Sequence, residues 1–315
     1  MSESPHMTDA AAQRVALIGF GEVGGIFGAA LAQCGVAGIV AYDILLDDAA
    51  RGAAMRTKAG RAGVTLAVSP QQAVADADVV VSAVTASATR AAIESIASAV
   101  KRGAIVLDIN SASPGTKTGC AAVIAKRGGR YVEAAVMTSV PPHGISTPML
   151  LGGPHARAAT PVLAALGFAV TPVSDEYGVA SAIKMCRSVI VKGMEAIVIE
   201  SFLTARRYGV EREVLASLAE TFPGINWEEQ GSWFWKRVVQ HGRRRAEEMR
   251  EAAVTVREAG VASTMAVAIA DTQAAVAALA AGGAFNSAGS DARWRDLADC
   301  VPRGDVAEAS AGRVA

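Results

Sequence analysis

The chain has few of the features that hold a small secreted scaffold together. It carries four cysteines, Cys34, Cys120, Cys186 and Cys300, with no C-x-x-C pair among them. That spread excludes a disulfide framework or a zinc ribbon and suits reduced thiols. Aromatic residues make up only 5%, and there is no excess of either charge, since 30 Lys and Arg face 30 Asp and Glu. A balanced chain exerts no general pull on nucleic acid or an anionic membrane, so neither is an expected partner. Also missing are a basic start with a long apolar core in residues 1–11 and any run of 18 uninterrupted apolar residues. A soluble, cytoplasmic protein is expected. What is present is a 51% hydrophobic composition rich in alanine, enough for a large core, at a length where two domains are the default.

The most informative segment reads Val-Ala-Leu-Ile-Gly-Phe-Gly-Glu-Val-Gly from Val15 to Gly24, an apolar run ending in glycines spaced G-x-G-x-x-G. The small-residue stretch that follows reads as a helix. Gly19 permits a tight turn, Gly21 lets the backbone approach a pyrophosphate, and Gly24 lets helix and strand pack closely. With Phe20, Glu22 and Val23 they form a candidate dinucleotide turn, pointing to a nicotinamide or flavin cofactor. A second predicted strand ends at Asp43, about 20 residues past the last glycine, where a carboxylate accepts hydrogen bonds from an adenosine ribose. That charge disfavours a 2′-phosphate, so NAD is expected, with NADP the alternative if Arg51 or Arg56 folds back.

As far as residue 173, short apolar runs alternate with helical patterns, the order of a parallel sheet with helices on both faces. Strands are predicted at 15–18, 38–42, 64–68, 78–84, 104–108, 130–135, 148–152 and 169–173. Ser69-Pro70, Ser113-Pro114 and Gly153-Pro154 mark helix starts, with proline where its missing N–H does no harm. Beyond that the pattern is almost all helix: 175–207, 211–220, 227–240, 243–259 and 263–281. The predicted organisation has a disordered N-terminus (1–12) and an α/β Rossmann-type domain with a doubly wound parallel sheet (13–173). An all-α substrate and dimerisation domain (174–300) and a disordered tail (301–315) follow.

Three further segments carry chemistry. Asp108-Ile109-Asn110-Ser111-Ala112-Ser113-Pro114 follows one predicted strand, and Glu133-Ala134-Ala135-Val136-Met137-Thr138-Ser139 follows another. Gly178-Val179-Ala180-Ser181-Ala182-Ile183-Lys184 opens the long helix. In this order, behind the glycine motif, they resemble the β-hydroxyacid dehydrogenases of the 6-phosphogluconate dehydrogenase-like superfamily. The C-terminal half, with Trp233-Phe234-Trp235 and the run from His241 to Met249, is similar to a branch with a distinct helical C-terminal domain. The resemblance implies hydride transfer between a nicotinamide cofactor and a hydroxy acid, and a homodimer built through the helical domain.

Lys184 is the expected general acid/base, because oxidising an alcohol needs a base for the hydroxyl proton as the hydride leaves. Burial and a neighbouring positive nicotinamide both lower a lysine pKa toward that task. Ser181 and Ser188 share its helix face. The resemblance implies a hydrogen-bonding residue three or four positions after the lysine, and here those positions hold Arg187 and Ser188. Met137, Thr138 and Ser139 stand where the family usually presents a serine and two glycines to a substrate carboxylate. Thr138 and Ser139 retain hydroxyl and backbone donors. His143, in the turn Pro141-Pro142-His143-Gly144, is a further candidate. Thr85, Asn110 and Ser111 lie at strand exits, where they can meet the nicotinamide or the substrate, or simply cap helices.

The aromatic group at Trp227 and Trp233–Trp235 reads as a helical core or a subunit interface rather than a surface that stacks on a ligand. Arg243-Arg244-Arg245 before Glu247-Glu248 reads either as a solvated face of i,i+4 pairs or as a source of guanidinium for an anionic substrate. Met137, Arg187 and the Trp-rich helices together suggest a small anionic organic substrate with an apolar portion, larger than the smallest 3-hydroxy acids. Imine reduction on the same scaffold and a non-catalytic dinucleotide-binding redox sensor are the competing readings. A lysine at 184 favours the alcohol.

Overall fold

The computed structural model describes residues 12–302, so the expected disorder at 1–12 and 301–315 falls almost wholly outside it. The chain divides into two compact units, Met1–Met185 and Cys186–Ala315, and the division falls inside a long helix.

The first unit is built on one sheet of β1 (Arg14–Ile18), β2 (Gly38–Tyr42), β3 (Thr65–Leu66), β4 (Val79–Ser82), β5 (Ile105–Asp108), β6 (Arg130–Val136), β7 (Met149–Gly152) and β8 (Val170–Ser174). The spatial order is β3-β2-β1-β4-β5-β6-β7-β8, the doubly wound pattern in which strand order reverses beside β1. All pairs from β3 to β6 are parallel, but β7 runs antiparallel to β6, and β8 then follows β7 in parallel. The sheet is the expected doubly wound parallel one from β3 to β6, and the pair β7 and β8 at its end runs the other way. The connection from β6 to β7 holds only one kinked helical turn, Val140–His143, and a 3-10 turn, Gly144–Ser146. A parallel return needs a crossover helix, which this connection lacks.

Side-chain alternation along β1 sends Val15 and Leu17 into one buried layer with Phe20, Phe27 and Leu31, and Ala16 and Ile18 into another with Val80, Ile93 and Val106. Both faces are therefore covered, which is why β4 and β5 are apolar at almost every position. The covering helices are α1 (Glu22–Gln33), α2 (Arg51–Ala62), α3 (Pro70–Val74), α4 (Thr89–Ile96), α5 (Pro114–Ala125) and α6 (Ala156–Ala165). Ser69 and Ser113 cap α3 and α5 by accepting the Gln72 and Thr116 N–H groups, with proline at the first helical position. The third proline signal was misplaced. A turn closed by Ala156 N–H donating to Gly153 O (3.0 Å) takes up Pro154, and α6 starts only at Ala156.

The remaining helices are α7 (Val179–Tyr208), α8 (Glu211–Thr221), α9 (Trp227–Glu258), α10 (Thr264–Ala281) and α11 (Trp294–Asp299). The core of the second unit gathers Phe202, Trp227, Trp235, Val238, Val276 and Trp294, so Trp227 and Trp235 pack as expected, whereas Trp233 is exposed. Two helices expected at 227–240 and 243–259 are one continuous α9. Gly242 does not break it, because the glycine serves close packing: a Cβ there would lie 2.8 Å from Gln273 O. Helix α10 is long and apolar enough by composition to cross a membrane, yet its Gln273 is buried against the Glu195 carboxylate, as befits a bundle helix.

Candidate active site

The carboxyl ends of β1, β2, β4, β5 and β6 place the glycine turn, Asp43, Thr85, Asn110 and Met137 along one edge of the sheet. At the turn, Gly19 has φ +91°, and a Cβ there would lie 2.4 Å from Ala83 O. A Cβ on Gly24 would lie 2.1 Å from Gly19 O, whereas nothing lies within 4 Å of one on Gly21. The flanks of the turn are closed and its middle is open. The first N–H groups of α1, from Glu22 and Val23 onward, have no partner within the helix and carry its positive dipole end. Such a cradle fits a pyrophosphate. Phe20 is buried beneath it. Asp43 stands alongside, accepting the Phe20 N–H at Oδ2 (2.7 Å) and the Leu45 N–H at Oδ1 (2.9 Å).

At the exits of β4 and β5 the Asn110 side chain is buried. Its Oδ1 accepts the Val84 N–H (2.7 Å) and its Nδ2 donates to Ser82 Oγ (2.9 Å). Asn110 thus ties two strand exits together. Its own N–H donates to Asp108 Oδ1 (2.9 Å), and Asp108 is fully buried. Lys117 Nζ, also fully buried, lies 2.8 Å from Asp108 Oδ1, and the Tyr131 hydroxyl donates to Oδ2 (2.6 Å). Burial, reinforced by the Asp108 charge, pushes the Tyr131 pKa well up. Lys117 and Tyr131, which no motif in the sequence marks, thus join Asp108 and Asn110 in fixing the loop that carries Ser111.

Lys184 is held from the other side. The buried Glu133 carboxylate accepts the Gly178 N–H (2.9 Å), the Ala180 N–H (2.9 Å) and the Ser181 hydroxyl (3.1 Å). A carboxylate at a helix N-terminus is doubly favoured, by the unpaired amides and by the dipole. Gly152 makes room for it, since a Cβ there would lie 2.3 Å from Glu133 Oε1. Helix α7 therefore starts at a fixed place, and the half-buried Lys184 donates from Nζ to Ser111 Oγ (2.7 Å). Ser181, on the same face, is engaged with Glu133.

Other candidates are placed less closely. Met137 is half-buried, while Thr138, Ser139, His143 and Thr85 are exposed on loops leaving the same edge. Arg187 is exposed and forms no ion pair among the described residues. In the second unit Ser188 accepts from Lys192 Nζ (3.1 Å), which pairs with Glu248 (3.0 Å). Glu195 is held by Arg245, with Arg237 Nε at 3.5 Å. Of the arginine run, Arg243 and Arg244 make long i,i+4 pairs with Glu247 and Glu248 (3.9 and 3.7 Å), and only Arg245 turns into the core.

Residues 14–174 match the family model described as the NAD binding domain of 6-phosphogluconate dehydrogenase, and residues 205–276 match a domain of unknown function (DUF1932). A conserved hypothetical protein from Sinorhizobium meliloti 1021 is 34% identical, with TM-score 0.72 over 95% of this chain and 100% of that one. A second structure, of a conserved protein of unknown function described as similar to 3-hydroxyacid dehydrogenases, is 31% identical, with TM-score 0.63 over 85% and 99% of the two chains. The fold is shared with the 3-hydroxyisobutyrate dehydrogenase of Mycobacterium tuberculosis in its L-serine complex, 18% identical, with TM-score 0.65 over 91% and 98%.

Proposed function

The chain belongs to the family of the 6-phosphogluconate dehydrogenase NAD binding domain, and from this we propose an NAD(P)-dependent oxidoreductase that interconverts a small anionic hydroxy acid and its carbonyl counterpart. The contact of Lys184 with Ser111 at 2.7 Å carries the reading. It sets the residue best suited to proton transfer against the exit of β5, on the edge that bears the glycine turn.

A bound nicotinamide supplies the hydride acceptor. Lys184, as the free amine, takes the hydroxyl proton while the C–H hydrogen leaves with its electron pair. In the reverse direction its ammonium returns that proton to the carbonyl oxygen. Ser111 accepts from Lys184 and keeps its own O–H to donate to the substrate oxygen. Thr138 and Ser139 supply donors for a carboxylate, and Met137 an apolar wall. Lys184→Met should lower kcat by about 10²–10⁴ and leave the Kd for the reduced cofactor nearly unchanged. Near-native turnover would remove Lys184 from the reaction. Turnover confined to imines, or cofactor binding without turnover of any hydroxy acid, would favour the reductase or sensor alternative.

The exposed Arg187 supports a carboxylate-bearing substrate of more than minimal size. Activity confined to compact acids and unchanged in Arg187→Ala would refute that part. Exposed Val261 just before α10 and Met265 and Val267 in its first turn support a homodimer assembled through the helical unit. Light scattering at micromolar concentration showing only a 32.1 kDa species would refute it.

A further inference from the structure

Lys58 has no part in the hydride-transfer reading, yet it lies against the glycine turn. From α2 its Nζ donates to the carbonyl oxygens of Phe20 (3.1 Å) and Gly21, 5.0 Å from the centre of the Phe20 ring. Gly25, a glycine outside the G-x-G-x-x-G spacing, provides the path. A Cβ at that position would lie 2.1 Å from Lys58 Cε and 2.3 Å from its Nζ. The ammonium and Asp43 bracket one residue: Asp43 accepts the Phe20 N–H (2.7 Å), and Lys58 donates to the Phe20 carbonyl oxygen (3.1 Å). Partial burial lowers the Lys58 pKa, and the charges of Asp43 and Glu22 oppose that drop.

An acid at the end of β2 receives ribose hydroxyls and repels a 2′-phosphate. An ammonium hydrogen-bonded to the same residue as that carboxylate, and within reach of its charge, offsets that repulsion, and two of its three N–H groups are engaged by carbonyls, leaving one for an incoming oxygen. The two arginines nearest in sequence are otherwise engaged. Arg51 pairs with Asp48 at 2.5 Å, and Arg56 Nη1 donates to Leu46 O (3.3 Å).

We propose that Lys58 is the phosphate-binding residue at the adenosine end of the dinucleotide site, so that the chain binds NADP(H) as well as NAD(H). This rests on the dinucleotide reading of the glycine turn. Calorimetric titration of the full chain with NADH and with NADPH, without substrate, tests it. The native protein should bind NADPH within about tenfold of NADH. Lys58→Gln should weaken NADPH about tenfold, the worth of one charge-assisted hydrogen bond, and NADH less than about threefold. Lys58→Arg should retain most NADPH affinity. Gly25→Ala, which displaces the ammonium without removing it, should mimic Lys58→Gln, and circular dichroism melts would establish that each variant is folded. Equal weakening of both nucleotides would make Lys58 a brace for the turn and overturn the proposal, as would native protein that binds NADH but not NADPH. Native protein that binds neither would overturn the dinucleotide reading itself.

Discussion

Beneath the sheet edge, Lys117 and Tyr131 enclose one carboxylate, Asp108, and the backbone joins in. Lys117 Nζ also donates to Asp108 O (2.9 Å), and Asp108 takes the Asn110 N–H. In the helical unit, Lys192, Arg237 and Arg245 face Glu195 and Glu248, and the contacts are nearly all between side chains. There Arg237 Nε and Gln273 Oε1 are buried without a hydrogen-bond partner among the described residues. The difference follows from the elements. A strand exit offers free amides and carbonyls, whereas interior helix backbone is already paired with itself, so charges between helices must satisfy one another. The first cluster can therefore fix the Asn110–Ser111 loop to one geometry, while the second has substitutes within reach for a lost partner.

The largest expected effect tests that contrast directly. Lys117→Met leaves Asp108 buried with its counter-charge gone and should cost about 3–5 kcal/mol of stability. Arg245→Met should cost less, about 1–3 kcal/mol, because Arg237 stands 3.5 Å from Glu195 and Gln273 Nε2 donates to it (3.2 Å). Denaturant titrations of both variants give the comparison. Equal losses would break it.

Next in size is Glu133→Gln. The amide keeps one acceptor for three donors, and its NH₂ opposes donors where the carboxylate accepted. Stability should fall by about 1–3 kcal/mol. If Glu133 positions Lys184 by fixing the start of α7, kcat should also drop about tenfold while cofactor Kd holds. A loss of stability with unchanged kcat would leave Glu133 a structural cap alone.

The sequence made some of this plain and hid the rest for physical reasons. The central strands β1, β4, β5 and β6 are legible because burial on both faces makes them apolar, the edge strands β3 and β8 through their place between helical patterns, and the Gly19, Gly21, Gly24 and Asp43 turn because its geometry depends on local spacing. The reversal at β7 is not, since an apolar run carries no direction. Gly242 read as a break because packing against Gln273 O lies outside its own helix. Helix α11 escaped because it is short and Trp294 is buried through distant partners, Glu228 accepting its indole N–H (2.8 Å). Lys58 and the capping role of Glu133 escaped for the same reason: each acts on backbone far along the chain, at Phe20 and at Gly178, and no spacing rule connects those positions.

The smallest effect separates the clusters by the sign of their pH dependence. Burial, ahead of the opposing Glu248 charge, lowers the Lys192 pKa from 10.5. Between that lowered value and 10.5 the unfolded chain binds more protons than the folded one, so the Lys192 contribution to stability rises with pH. Tyr131 behaves oppositely. Its pKa is raised well above 10.0, so above about pH 10 the folded state holds a proton that the unfolded state has lost, and stability falls as pH rises. Relative to the native protein, Lys192→Met should lose an alkaline gain and Tyr131→Phe should lose an alkaline decline. Each should amount to about 1 kcal/mol across one pH unit at most. Melting temperatures taken from pH 8 to 11 check this through the difference between each variant and the native chain, which cancels the remaining titrations. Parallel slopes in the two variants would mean that at least one of these buried groups titrates with the rest of the surface.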